Sequence, residues 1–121
     1  RLYQAMAEVR GVSVDTLSAA DITDRAKAGE CDTCMASLDT FCALLGSLCG
    51  DYILANGAYG GLYLAGGIVP RFIDFLRESD FVSRFSQKGI MSHYVEDVAV
   101  NLIGYEQTAF LGAAAWLDQV E

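Results

Sequence analysis

From Asp32 to Asn56 the apolar residues Leu38, Phe41, Cys42, Leu45, Leu48, Cys49, Tyr52 and Ile53 recur every three or four positions with no proline among them. A repeat of that period over such a length predicts one long, broadly apolar helix around which the rest of the chain must pack. Gly46 and Gly50 lie inside it, each costing about 1 kcal/mol relative to alanine in a helix interior. Four residues apart, they share a face, so a second backbone is expected to cross closely there. The plainer alternative is a pair of incidental glycines on a helix stabilised by its packing elsewhere.

The four cysteines, Cys31, Cys34, Cys42 and Cys49, all fall in or just before this segment. Cys31 and Cys34 form a C-x2-C pair, a spacing used by zinc sites and redox centres. The distances on to Cys42 and Cys49 fit no common structural zinc pattern, no histidine lies near, and no strand precedes the pair. Small buried or half-buried thiols on a helix are therefore the expectation, and no metal site is assigned.

Around the long helix the punctuation is regular. Leu2, Tyr3, Met6 and Val9 predict a first helix over 2–10 that Gly11 ends. Asp21 is a candidate N-cap for a short helix through Ala28, closed by Gly29. After Asn56-Gly57, the stretch Gly60 to Ala65 reads as a buried strand that runs into Gly66-Gly67. Pro70 suits a helix start, Asp80 is a candidate cap for another short helix ended by Gly89, and residues 98–103 read as a second strand. Thr108 opens a last helix with Phe110, Ala113, Leu117 and Val120 along one side. Strands separated by helical segments predict an α/β fold with parallel strands. Two strands make a poor sheet, so further strands are expected upstream, and the opening residue Arg1 also suggests a piece of something longer.

A chain of 121 residues is expected to form one core, burying roughly two thirds of its unfolded surface. Its apolar fraction of 53%, above the roughly 45–50% usual for soluble domains, hints at surface for a partner. Eight basic against 16 acidic residues give a net charge of −8, which disfavours binding to a phosphate backbone; nucleic acid is not an expected partner. The uncharged run from Tyr52 to Pro70 approaches the length of a membrane span, but its glycine pairs and Pro70 break it, so a membrane is not expected either. No basic segment leading into an apolar one opens the chain, and a cytoplasmic location is the expectation.

Ligand-directed chemistry is concentrated in Gly60 to Phe72, GGLYLAGGIVPRF. A strand delivering the chain into two glycines with a helix immediately after lets main chain approach a ligand where open α/β sheets bind them. The spacing is neither G-x-x-x-x-G-K-S/T nor G-x-G-x-x-G, so pattern alone implies a ligand without naming it.

This same stretch resembles the adenosine motif of bacterial-type ATP-dependent glucokinases, actin-like (ribonuclease H-like) sugar kinases of the hexokinase type. Asp21-Ile22-Thr23-Asp24-Arg25-Ala26, Cys31-Asp32-Thr33-Cys34, Phe41-Cys42-Ala43, residues 72–89 (FIDFLRESDFVSRFSQKG) and the helix near Phe110-Leu111-Gly112 follow in the family's order. The resemblance implies that residues 1–121 are the C-terminal part of the large lobe of an actin-like ATPase fold, with 108–121 as its terminal interdomain helix. It implies transfer of the ATP γ-phosphoryl group to the 6-hydroxyl of D-glucose, the first step of glycolysis, with ATP and Mg²⁺ held mainly by residues outside this chain, and a homodimeric enzyme. The family's D-x-G-G-T phosphate motif does not occur here, so no catalytic residue is assigned. What carries over is Gly66 and Gly67 on the adenosine side, Ile68 as an apolar neighbour of adenine, Gly60 and Gly61 as strand-entry glycines, and Gly112 and Ala113 as a hinge. A structural role for Gly112 in close helix packing stands equally. A related sugar kinase, a sugar-sensing regulator and a noncatalytic interaction domain are the alternatives.

His93 reads as an exposed structural residue and not a general base. The charges from Arg71 to Arg84 read as helix surface, and Tyr59, Tyr63, Tyr105 and Trp116 as core or interface aromatics.

Overall fold

The computed structural model describes residues 1–105 and 107–120. Six α-helices and two strands follow in the order α1 (Leu2–Arg10), α2 (Ala19–Ala28), α3 (Asp32–Asn56), β1 (Leu62–Leu64), α4 (Ile73–Glu78), α5 (Phe81–Ser86), β2 (Val100–Leu102) and α6 (Thr108–Val120). Two 3-10 helices, Val69–Phe72 and Gly89–Tyr94, complete the chain between the strands. The architecture is helix-rich and mixed, with a small parallel sheet in which Leu62, Tyr63 and Leu64 pair with Val100, Asn101 and Leu102.

The hub is α3, whose 25 residues carry one wall of the core against α1, α2 and, most extensively, α5. By length and composition it is apolar enough to cross a membrane, yet Cys34, Leu38, Cys42, Cys49 and Ile53 are buried against Tyr3, Ala26, Phe72, Leu76, Phe81, Phe85 and Val95. Leu48 and Tyr52, which the periodicity places with the buried set, instead face outward with Leu44. Their four-residue spacing puts all three on a face that no element among the described residues covers.

The glycine pair on α3 does what its spacing predicts. A Cβ on Gly46 would lie inside contact distance of the Phe81 carbonyl oxygen, and one on Gly50 inside that of the Phe85 carbonyl oxygen. The backbone of α5 therefore rests directly on α3. From that position Phe81 and Phe85, stacked at 6.3 Å between centroids, fill the core beside it. Lys88, just past α5, fixes the end of the crossing: its Nζ donates to the Ser47 carbonyl at 2.8 Å and pairs with Asp51 at 2.7 Å.

Helix ends differ from expectation in detail. The N-cap of α2 is Ser18 and not Asp21; Asp21 is the third helical residue of a capping box, which moves the helix start upstream. Asp80 stands at the N-cap of α5 without a side-chain cap bond. The Ser79 hydroxyl takes that role, accepting from Phe81 N at 3.2 Å. Gly89 does not close α5, which ends at Ser86; it opens the 3-10 helix in a left-handed conformation with φ 58°. The last helix forms over Thr108–Val120, but every described residue of it is exposed, including Phe110, Ala113, Leu117 and Val120. Glu121, with which the expected terminal helix ends, lies outside the described residues. Tyr59, Tyr63, Tyr105 and Trp116 are likewise exposed, so none is a core residue of this chain.

Replacing Gly46 or Gly50 by alanine is expected to cost about 3 kcal/mol, because the added methyl meets a backbone carbonyl with no rotamer to escape into. Gly60→Ala, where a Cβ meets nothing within 4 Å, should stay within about 0.5 kcal/mol of the parent. Urea denaturation of the three variants checks this, and equal midpoints would mean that the helices do not cross as described.

Candidate functional site

Both parallel strands run in the same sense, so their carboxyl ends open on one side of the molecule. There β1 passes through Ala65 into Gly66-Gly67 and β2 through Ile103 into Gly104, and Ile103 N donates to the Leu64 carbonyl at 2.9 Å, holding the two exits together. Gly66 adopts φ 120°, a conformation that strains any residue with a Cβ. Gly67 carries no such constraint, and a Cβ on either glycine would project into open space. Ile68 follows with 66% of its surface exposed, and Pro70 sits in the first turn of the 3-10 helix that turns the chain back toward α4.

Gly67 and Ile68 form the partition between two hollows. One, of about 330 Å³, is walled by Ala19, Ala20 and Thr23 from the first turns of α2 and by Arg71 and Phe72 beyond the bend. The other, of about 260 Å³, lies toward Phe41 and Leu45 of α3. The first falls within the roughly 300–1,000 Å³ typical of ligand clefts. Its walls are small or apolar except for Thr23, whose hydroxyl donates to the Ala19 carbonyl at 2.9 Å, and Arg71. A larger hollow of about 520 Å³ shares Arg71 and Phe72 but opens toward Lys27 and Glu78, away from the glycines.

The structure thus brings Gly66, Gly67 and Ile68 together at one bend. It sets Gly60 and Gly61 apart from them, at the opposite end of β1. Strand geometry of about 3.3 Å per residue puts roughly 16 Å between Gly61 and Gly66. Gly61, at φ 129°, faces the Ala99 carbonyl of the neighbouring chain segment. Gly112 and Ala113 lie on the exposed α6, and nothing stands within 4 Å of a Cβ on Gly112. His93 is exposed, its ring 4.0 Å from that of Tyr94. Among the described residues no group of three or more His, Cys, Asp or Glu side chains could hold a metal ion.

Sequence reasoning missed the far wall. Ala19 and Ala20 precede the apparent helix start at Asp21, and the signal that would have located them is the pairing of Ser18 with Asp21 three residues later. Ser18 Oγ accepts from Asp21 N at 3.1 Å and donates to Asp21 Oδ2 at 2.6 Å, and Ser18 N donates to the same oxygen at 3.3 Å. This cap fixes where the α2 wall begins.

A family model described as Glucokinase matches residues 1–120. The chain belongs to the glucokinase family. It is 58% identical over 120 residues to a glucokinase of Saccharophagus degradans, a match covering 99% of this chain and 37% of that relative. A glucokinase of Colwellia psychrerythraea is 45% identical over 125 residues, covering 99% of this chain and 38% of the relative. Among solved structures, a glucokinase from an Antarctic psychrotroph matches with a TM-score of 0.87 at 51% identity, covering 98% of this chain and 37% of that one. The chain therefore spans a little over a third of the length of the glucokinases it matches.

The cap that positions the α2 wall has a titration signature. Hydrogen bonds from the Ser18 hydroxyl and then the Ser18 amide hold the Asp21 carboxyl below its ordinary range, since both favour the charged form. A folded value below the unfolded one means that the stabilisation is present above the ordinary aspartate value and is lost as pH falls through the depressed one. Ser18→Ala should move the NMR titration midpoint of Asp21 upward. An unmoved midpoint would show that the cap does not set it.

Proposed function

We propose that this chain is the adenosine-side part of an ATP-dependent glucokinase, in which ATP donates its γ-phosphoryl group to the 6-hydroxyl of D-glucose. The single observation that carries the assignment to this site is the open bend at Gly66-Gly67, beside a hollow of ligand size at the carboxyl end of a parallel strand. Family membership and the names of the relatives support the activity; the bend supports the place. Adenosine would lie at the bend of Gly66 and Gly67 with Ile68 as its apolar neighbour; of the two glycines it is Gly67 that lines the hollow where the small residues Ala19 and Ala20 leave room opposite, while Gly66 borders the hollow toward α3. Gly60 and Gly61 would serve the strand's entry and not the ligand.

The chain's own contribution is positioning. ATP brings the phosphoryl group and Mg²⁺ the charge neutralisation that phosphoryl transfer requires. The phosphate clamp, the general base, the metal's ligands and the glucose site would be supplied by the remaining length of the enzyme. In this reading the chain is the C-terminal part of the large lobe of an actin-like fold, further strands extend its sheet, and α6 joins the two lobes with Gly112 and Ala113 as the hinge. A homodimeric, cytoplasmic enzyme that binds neither nucleic acid nor membrane accords with the same reading.

Gly67 gives the clean test, because a Cβ there meets nothing within 4 Å and its φ lies outside the left-handed region that strains one. In the intact enzyme Gly67→Val should raise the KM for ATP on the order of tenfold or more, about 1.4 kcal/mol per decade, while the KM for glucose stays nearly unchanged. An unaltered ATP dependence would place the nucleotide elsewhere. The 121-residue chain by itself should phosphorylate no glucose, since positioning without clamp or base leaves the transition state unstabilised. Turnover above the blank in a coupled assay of the pure chain would overturn this division of labour.

A further inference from the structure

We propose that Cys31 and Cys34 form a thiol–disulfide exchange site, with Cys31 as the attacking and Cys34 as the resolving sulfur, whose co-reactant is a low-molecular-weight disulfide of the glutathione class.

The sequence places these cysteines on a helix as packing thiols, and that holds for Cys34, Cys42 and Cys49, all buried. Cys31 is different. It is the N-cap of α3 in extended conformation, only half-buried, and its Sγ accepts from Cys34 N at 3.3 Å. Serine, threonine, aspartate or asparagine caps a helix better than a thiol does, so capping alone gives no reason for sulfur at this position. Cys34 lies one turn on, with 0% of its surface exposed. Neither thiol is in a disulfide. The pair therefore presents one reachable sulfur at the positive end of a 25-residue helix, with a second, buried sulfur one helical turn on.

The surrounding charges favour that division. The Cys31 thiol is held below its ordinary value, chiefly by hydrogen bonds from the Cys34 side chain and amide, with Arg25 of α2 adding to the effect. Burial and the neighbouring Cys31 push the Cys34 thiol up to about 11. Burial pushes Cys42 and Cys49 up as well.

The exchange balances in two steps. Cys31 Sγ, having given its proton to solvent, attacks one sulfur of the small disulfide. A Cys31 mixed disulfide forms, the original S–S bond breaks, and one glutathione thiolate leaves. Cys34 then gives up its proton and attacks Cys31 Sγ, forming the Cys31–Cys34 bond and expelling the second glutathione thiolate. The two departing thiolates take up two protons, so two cysteine thiols are oxidised by two electrons while one disulfide is reduced to two thiols.

The test is by mass, on the intact protein that carries this chain, and is independent of kinase activity. After incubation with glutathione disulfide the wild type should lose two hydrogens, map to a Cys31–Cys34 cross-link and recover with dithiothreitol. Cys34→Ser and Cys34→Ala should instead retain one glutathione, on Cys31, because nothing resolves the mixed disulfide. Cys31→Ser should acquire neither adduct nor cross-link. If the Cys34 variants fail to fold, the wild-type cross-link decides alone. A wild type that stays fully reduced, or a bond or adduct that maps to Cys42 or Cys49, overturns the proposal.

Discussion

Everything in this chain hangs on two carbonyl oxygens of α5 pressed against two glycines of α3. Because Gly46 and Gly50 have no Cβ, the Phe81 and Phe85 carbonyls approach to where side chains would otherwise stand. Each glycine then presents a Cα–H to an oxygen, a contact weak by itself but repeated one helical turn apart. A six-residue helix such as α5 has too little backbone bonding to persist alone. Docked this way, it carries Phe81 and Phe85 into the core, and Lys88 locks the exit onto Ser47 and Asp51.

That docking also positions the bend. The connection between the parallel strands runs through the 3-10 helix after Ile68, then α4, α5 and the 3-10 helix ending at Tyr94. With α5 fixed on α3, Phe72 and Leu76 are drawn into the same core, and Phe72 meets Phe41 edge-on at 6.0 Å between centroids. Phe72 thus anchors the chain just after the diglycine, while Leu62 and Leu64 anchor it just before. Between those anchors the backbone is free to stay open, and the first turns of α2, fixed by the Ser18–Asp21 box, supply the opposite wall.

The long helix, its glycine crossing, both strands and the diglycine bend were legible in the sequence because each is written locally. A period, a pair of residues four apart, or a short apolar run bounded by turns suffices. What was not legible depends on partners distant in the chain. Leu48 and Tyr52 share the period of the buried residues yet face outward, because period alone cannot say how wide a stripe is covered. Ala19 and Ala20 carry no chemistry that would mark them as a wall; only the arrival of Gly67 and Ile68 beside them does. The start at Asp32 already leaves Cys31 outside the helix, but that Cys34 is fully buried while Cys31 is not depends on the packing of α1 and α2 against α3.

The outward faces have a common physical sense. Parallel sheets are ordinarily covered on both faces, but here Leu62 and Leu64 meet the helical core while Tyr63 and Asn101, paired across the strands, stay exposed. Leu44, Leu48 and Tyr52 form an uncovered stripe on α3, and on α6 Phe110, Trp116 and Leu117 are each more than half exposed. This much apolar surface accounts for the high apolar fraction without requiring an unusually large core. On the proposed reading, these faces would belong against the remaining length of a glucokinase; the chain spans about 37% of the relatives it matches. On that reading the core around α3 is one self-consistent part of a larger packing problem, and the bend at Gly66-Gly67 would be the part of it that meets a ligand.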